Sequence, residues 1–163
     1  MDNDEMIEAI TLFGERKLIA KSKFVVRVSA YMVIIENDEV LLLLHKVSGK
    51  LGMPGGAVET GETFSEAMLR EASEEIGIND GIEISDLVDV AENFFYYDPT
   101  DQAFDFKIIC YKARVPDISK IHDVGDADEG NPTWYKISEL RENQFGELKN
   151  GSFLEIIKKA QSI

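Results

Sequence analysis

The chain has 163 residues, 44% of them apolar and 9% aromatic, with 17 basic and 31 acidic side chains and a formal net charge of −14. At roughly 100–200 residues per domain this length makes one domain, residues 1–163, able to bury about two-thirds of the surface its unfolded form exposes. Disorder of the whole is excluded, and so is any broad electrostatic grip on nucleic acid or on an anionic membrane.

Met1-Asp2-Asn3-Asp4-Glu5 is acidic where a secretory or mitochondrial leader would be basic. No apolar run approaches the roughly 20 residues that cross a bilayer, so a cytoplasmic location is expected. Residues 1–22 carry no clear structural signal, although Met6, Ile7, Ile10 and Phe13 suit a short amphipathic helix. Phe24 to Glu36 is dense in Val, Ile and Tyr, Asn37-Asp38 is polar, and Val40 to Leu44 is an unbroken apolar run. Two β-rich runs about a short polar turn predict a hairpin, and the unbroken second run predicts burial on both faces.

Gly49 to Gly56 holds four glycines and one proline. That composition excludes regular structure, and either turns the chain tightly or lets backbone approach a ligand closely. Thr63 and Glu66 have the spacing of a capping box and Gly77 is a stop signal, which predicts a helix from about Phe64 to Ile76. Ile82 to Tyr97 and Ala103 to Val115 read as strands joined around Asp98 to Asp101. The single cysteine, Cys110, falls in the second of these and reads as a small buried apolar residue without a disulfide partner. An acidic loop from Pro116 to Pro132 leads to a short strand at Thr133 to Lys136, a helical turn from Ser138 and a last helix from about Ser152 to Ala160. Strands on both sides of a central helix predict a mixed α/β layered domain. No internal repeat or low-complexity tract interrupts it.

The central helix carries the chemistry. In steps of about 100° from Glu71, Met68, Ala72, Ile76 and Leu69 share an apolar face, and Glu74, Glu71 and Glu75 form an acidic arc beside it. Like charges three and four residues apart cost a helix a few tenths of a kcal/mol per pair, and packing supplies no reason for them. The arc reads either as a solvated acidic face or as a divalent-cation site, because hard ions prefer carboxylate oxygens. Arg70, beside Glu71 and four before Glu74, can orient a carboxylate by a charge-assisted hydrogen bond. Glu62 stands at the helix entrance, and the glycine loop feeds into it. Backbone amides and carbonyls, a cation cage and a helix N-terminus are the parts of a polyphosphate site.

Gly56, five residues, Glu62, seven residues, then Arg70-Glu71-Ala72-Ser73-Glu74-Glu75-Ile76-Gly77-Ile78 resembles the complete Nudix box, with every fixed position matched. Ala72 is small where the family more often has Leu, Ile or Val. The resemblance implies an α/β/α sandwich with a mixed β-sheet between helices. It implies a MutT-like pyrophosphohydrolase that cleaves a nucleoside diphosphate linked to another moiety (a nucleotide, dinucleoside polyphosphate or nucleotide sugar) by metal-assisted attack of water on phosphorus. The implied cofactor is Mg2+ or Mn2+, held by Glu71, Glu74, Glu75 and the Gly55 carbonyl, with Arg70 orienting Glu71 and Glu62 supporting the site. The implied partner is a small-molecule nucleotide, with neither nucleic acid nor membrane, and homodimers are common in the family.

Other positions stay open between two readings. In the family the general base is a box glutamate or a carboxylate from a distant loop. Here the loop offers Asp123, Asp126, Asp128 and Glu129, the last five residues before Trp134 as in many relatives; the same loop also reads as a solvated surface segment. His122 is a surface histidine or a catalyst, and His45 meets a phosphate or caps a strand end. Tyr96, 18 residues past Ile78, is similar to the tyrosine placement of dinucleoside polyphosphate hydrolases, with core packing as the alternative. Asn93 stands where ADP-ribose hydrolases have a proline. Aromatics of this region or of the N-terminal segment can stack on a base. The alternative function is a regulatory module that binds nucleotides on a Nudix fold without hydrolysis; such proteins often lose box glutamates, and Glu62, Glu71, Glu74 and Glu75 are kept here. Gly56 to Ile78 carries six Glu and one Arg, and 116–131 carries four Asp, one Glu and one Lys. Most of the negative charge therefore sits in two segments.

Overall fold

In the computed structural model, which describes residues 4–163, the chain begins with a hairpin and not with the short helix that the spacing of Met6, Ile7, Ile10 and Phe13 suggests. Met1 to Asn3 of the acidic start lie outside the described residues. Strands β1 (Met6–Thr11) and β2 (Arg16–Ala20) pair antiparallel. An isolated two-stranded hairpin is marginal in water, and this one is held because β1 also runs parallel to β7 (Glu83–Tyr97), with Ile10 opposite Phe95 and Thr11 opposite Tyr96. Ala9 and Ile10 are buried there. The neighbouring strand overrides a weak local helical pattern.

Asn37 and Asp38 turn the chain with φ of 49° and 63°, the left-handed backbone that two-residue hairpin turns require and that Asn and Asp tolerate. They join β3 (Phe24–Glu36) to β4 (Glu39–Leu44). Alternation along both strands divides the core. Val33, Val40 and Leu42 pack with Leu154 and Ile157 of helix α2 (Phe153–Gln161). Met32, Ile34, Leu41 and Leu43 pack with Met68, Ala72 and Ile76 of helix α1 (Phe64–Ile76). The sheet therefore lies between two helices, the expected sandwich, and β4 is buried on both faces. Strand β8 (Gln102–Arg114), which buries Cys110, runs parallel to β3 and antiparallel to β7, so the sheet is mixed.

The glycine segment is more regular than its composition suggests. It contains β5 (Leu51–Gly52), paired with β4, and β6 (Gly55–Ala57), paired with β3. The long neighbours supply hydrogen-bonding edges that even glycine-rich backbone can use. Strand β9 (Thr133–Lys136) pairs with β4. Among the described residues no helix is long and apolar enough to cross a membrane.

Candidate catalytic site

Helix α1 is fixed at both ends by its own sequence. The Glu66 amide donates to Thr63 Oγ1 at 3.2 Å and the Thr63 amide to Glu66 Oε2 at 2.8 Å, while Gly77 closes the helix at φ 74°. The face turned to the sheet is rotated from the one read off the helical wheel: Leu69 remains 38% exposed, whereas Glu75 is only 8% exposed. Of the acidic arc, Glu75 is buried, Glu71 half-buried and Glu74 exposed, so the arc straddles the edge of the buried face.

That rotation brings carboxylates against β6. The Gly55 amide donates to Glu75 Oε2 at 2.9 Å. A Cβ on Gly56 would stand 2.6 Å from Glu71 Oε1, so the glycine cradles that carboxylate. Arg70 grips Glu62 with two bonds, Nε to Oε2 at 2.8 Å and Nη2 to Oε1 at 3.0 Å, and also donates to Glu71 Oε1 and to the Ala57 carbonyl, each at 3.0 Å. Its bond to Glu74 is longer, 3.5 Å, and Glu74 is exposed. The guanidinium beside Glu62 holds that carboxyl below the usual range. Burial pushes Glu71 up against the pull of Arg70.

The acidic loop folds back over this helix. The His122 amide donates to the Ile76 carbonyl at 3.1 Å, the Lys46 amide to Asp128 at 2.8 Å, and the Gly130 amide to Leu44 at 2.8 Å. Lys46 Nζ also donates to the Asp126 carbonyl. Asp126 Oδ1 accepts the amides of Asp128 and Glu129, at 2.7 and 3.0 Å. Burial, then the charges of Glu71, Glu129 and Asp126, push the Glu75 carboxyl up to about 9 against the Gly55 amide bond. Burial, then Asp126, Asp128 and Glu71, push Glu129 up to about 7. Carboxylates from the helix and the loop thus share one field. Among the described residues no three His, Cys, Asp or Glu groups surround one point; Arg70 holds Glu71 and the Gly55 amide holds Glu75. An all-oxygen set with excess negative charge suits a hard divalent cation.

The family model of the NUDIX domain matches residues 25–155, most of the chain. The chain belongs to the Nudix family. The ADP-ribose pyrophosphatase of Methanocaldococcus jannaschii is 38% identical over 85 residues, covering 44% of this chain and 50% of that protein. The chain spans half the length, or less, of the curated relatives it matches. Among solved structures, the MutT protein of Methanosarcina mazei Go1 superposes with a TM-score of 0.61 at 20% identity, covering 86% of this chain and 96% of that one. An ADP-ribose pyrophosphatase of Streptococcus suis 89-1591 gives 0.60 at 14% identity, covering 83% and 90%. These two show the Nudix fold.

Of the residues singled out in the sequence, the Nudix fold brings together Gly55, Glu62, Arg70, Glu71, Glu74 and Glu75, and adds Glu129. His45 is beside them only through its backbone, which pairs with Glu129; its Nδ1 is engaged by Ser48, whose amide donates to it at 3.1 Å. Tyr96 packs with Ala9, Ile19 and Ala103 and gives its hydroxyl to Asp101. His122 lies against Gly77 with its Nδ1 on the Lys120 carbonyl at 2.8 Å. A cavity of about 240 Å³ was not foreseen. It is walled by the β1–β2 turn, by Tyr31 and Lys50, by Phe95 and Phe106, and by the segment from Phe145 to Leu148. Only the general aromatic richness of these segments hinted at it.

Proposed function

We propose that this Nudix chain is a pyrophosphohydrolase acting on a nucleoside diphosphate linked to another moiety. The observation that carries the reading is the placement of Glu75 on the Gly55 amide and of Glu71 against Gly56, with Glu129 and Asp126 near enough for their charges to act on Glu75. Glu71, Glu74, Glu75 and the Gly55 carbonyl would hold Mg2+ or Mn2+. Such a cation neutralises pyrophosphate oxygens and lowers the pKa of water. Arg70, fixed by its fork on Glu62, aims Glu71. Glu129, half-buried and facing the box glutamates, has a carboxyl suited to accepting a proton near neutral pH. The named relative makes ADP-ribose the first compound to test.

The test is a nucleotide panel incubated with Mg2+ or Mn2+ and products identified by mass. Cleavage at the pyrophosphate is expected, and Glu74→Gln and Glu75→Gln should each reduce it to background. Unchanged turnover in both variants would remove the metal assignment.

A further inference from the structure

What joins His45 to the carboxylates is a backbone pairing, and the type of that pairing decides where the two side chains go. The Gly130 amide donates to the Leu44 carbonyl and the Lys46 amide to the Asp128 carbonyl, each at 2.8 Å. His45 and Glu129 stand opposite each other between these two bonds. That is the narrow pair of an antiparallel ladder, about 4.5 Å between Cα atoms, in which the side chains share one face and lie closest together. The face is the one toward α1. Leu41 and Leu43 pack there with Met68, Ala72 and Ile76, and alternation carried one step past the end of β4 puts His45 on the same side. Glu129 is near enough to α1 for its charge to act on Glu75 and for that of Glu71 to act on it.

The ring of His45 is set by its own turn. The His45 amide donates to the Lys50 carbonyl and the Gly49 amide to the His45 carbonyl, each at 2.9 Å. The Ser48 amide donates to Nδ1 at 3.1 Å, and Ser48 Oγ stands 3.0 Å from the same nitrogen. A nitrogen that accepts an amide hydrogen carries none of its own, so the hydrogen of the neutral ring is on Nε2. Nε2 is therefore a donor, and among the described residues every hydrogen bond of this ring is made at Nδ1. Glu129 is the complement. Its amide is tied to Asp126 Oδ1, but among the described residues no hydrogen bond holds its carboxylate. Burial, Asp126, Asp128 and Glu71 disfavour the charge there, and Lys46 favours it. A half-buried carboxylate in that position lacks both a donor and a fixed aim.

Resting on the hydrolase reading above, with Glu129 as proton acceptor, we propose that His45 is the positioning residue of Glu129: its Nε2–H donates to one carboxylate oxygen and leaves the other aimed at the attacking water. The bond favours the ionised carboxylate that a base requires and holds it in the geometry that proton transfer demands. Ser48 serves the pair by choosing the tautomer.

The experiment joins steady-state kinetics on the nucleotide that the panel identifies, at saturating Mg2+, to nuclear magnetic resonance of the full chain. Glu129→Gln should lower kcat about 100-fold or more, and His45→Phe roughly 10- to 100-fold, with KM kept within about twofold in both. His45→Gln, which returns an N–H near the place of Nε2, should recover most of the loss, and His45→Asn, whose amide ends short of it, should not. In the Glu129→Gln background His45→Phe should cost nothing more, because a residue that acts through Glu129 has nothing left to act on. Proton–nitrogen correlation spectra of the imidazole should place the hydrogen on Nε2 and show that signal moving in Glu129→Gln. A rise in KM with kcat kept in His45→Phe, which marks a contact to substrate, overturns the pairing and leaves hydrolysis standing, as does an equal loss in both backgrounds. A native kcat in Glu129→Gln overturns the pairing together with the choice of base. A native chain that cleaves no nucleotide, while its Nε2 signal still answers to Glu129→Gln, overturns the hydrolase reading and leaves the pair. A chain that cleaves none and shows no such response overturns both.

Discussion

Glu71 reaches the β6 backbone because position 56 has no side chain, and the two glycines of that strand do different work. A Cβ at Gly56 meets the far end of the Glu71 side chain, which can swing away. A Cβ at Gly55 meets the Ala30 carbonyl and the Tyr31 backbone, and φ of 139° is strained for any L side chain. Gly56→Ala should therefore fold with nearly native stability and lose about 100-fold in kcat/KM, since displacing a positioned group by an ångström costs that much. Gly55→Ala should detach β6 and fail to give a native melt. Circular dichroism melts with steady-state kinetics separate the two. Comparable behaviour of both variants, either both stable and active or both unfolded, would contradict the division of roles. Arg70 belongs to the same scale: four bonds of 3.0 Å or less from one guanidinium, besides the longer one to Glu74, make it a brace that a lysine cannot copy.

Elements whose signals are local were legible in the sequence. The α1 capping box, its glycine stop and the Asn37-Asp38 turn were each specified by two to four residues, so the helix and the hairpin stand where the sequence reading put them. The β1–β2 hairpin was not legible, because β7, far along the chain, decides whether Ile10 sits in a strand or a helix. Met68, Ala72 and Ile76 of α1 are buried where the helical wheel puts them, but the buried face also takes in Glu75, against β6, and leaves Leu69 exposed. The stop of α1 also couples to the acidic loop, since the His122 ring lies where a Gly77 Cβ would be. Gly77→Ala should cost the left-handed penalty of about 1–2 kcal/mol plus the clash, lowering Tm by at least about 2–4 °C, and should lower activity by shifting the loop. Adding His122→Ala should recover the clash but not the backbone penalty. Thermal melts of the two single variants and the double variant form the cycle; strict additivity would show that the ring and the helix end do not touch in solution.

At the scale of the molecule, the sheet sets the helix, the helix sets three glutamates, and the returning loop brings a second acidic segment onto the first. The charge totals showed two acidic segments in the sequence. Their convergence was not legible, because it depends on backbone bonds from Lys46, His122 and Gly130 that no side-chain pattern announces. The resulting field is a stability defect of the metal-free chain: burial and the charges of Glu71, Glu129 and Asp126 push the Glu75 carboxyl up to about 9, so near neutral pH folding must take up a proton there. A divalent cation that binds only the folded chain converts this defect into a gain. At a concentration of 100 times its Kd it adds about 2.7 kcal/mol, or a rise in Tm of roughly 5–10 °C for a chain of this size. Chelation should reverse the rise, and NaCl at matched ionic strength should not reproduce it, since exposed charges far apart are already screened in ordinary buffer. Glu75→Gln should melt higher than the native chain when both are metal-free at neutral pH, because the amide is neutral without the proton that Glu75 must take up on folding, and should then gain little from Mg2+ or Mn2+. Scanning calorimetry of both proteins with and without chelator tests the two halves together. If Glu75→Gln were less stable without metal and rose as much with it, the cost of burying Glu75 and the metal assignment would both be wrong.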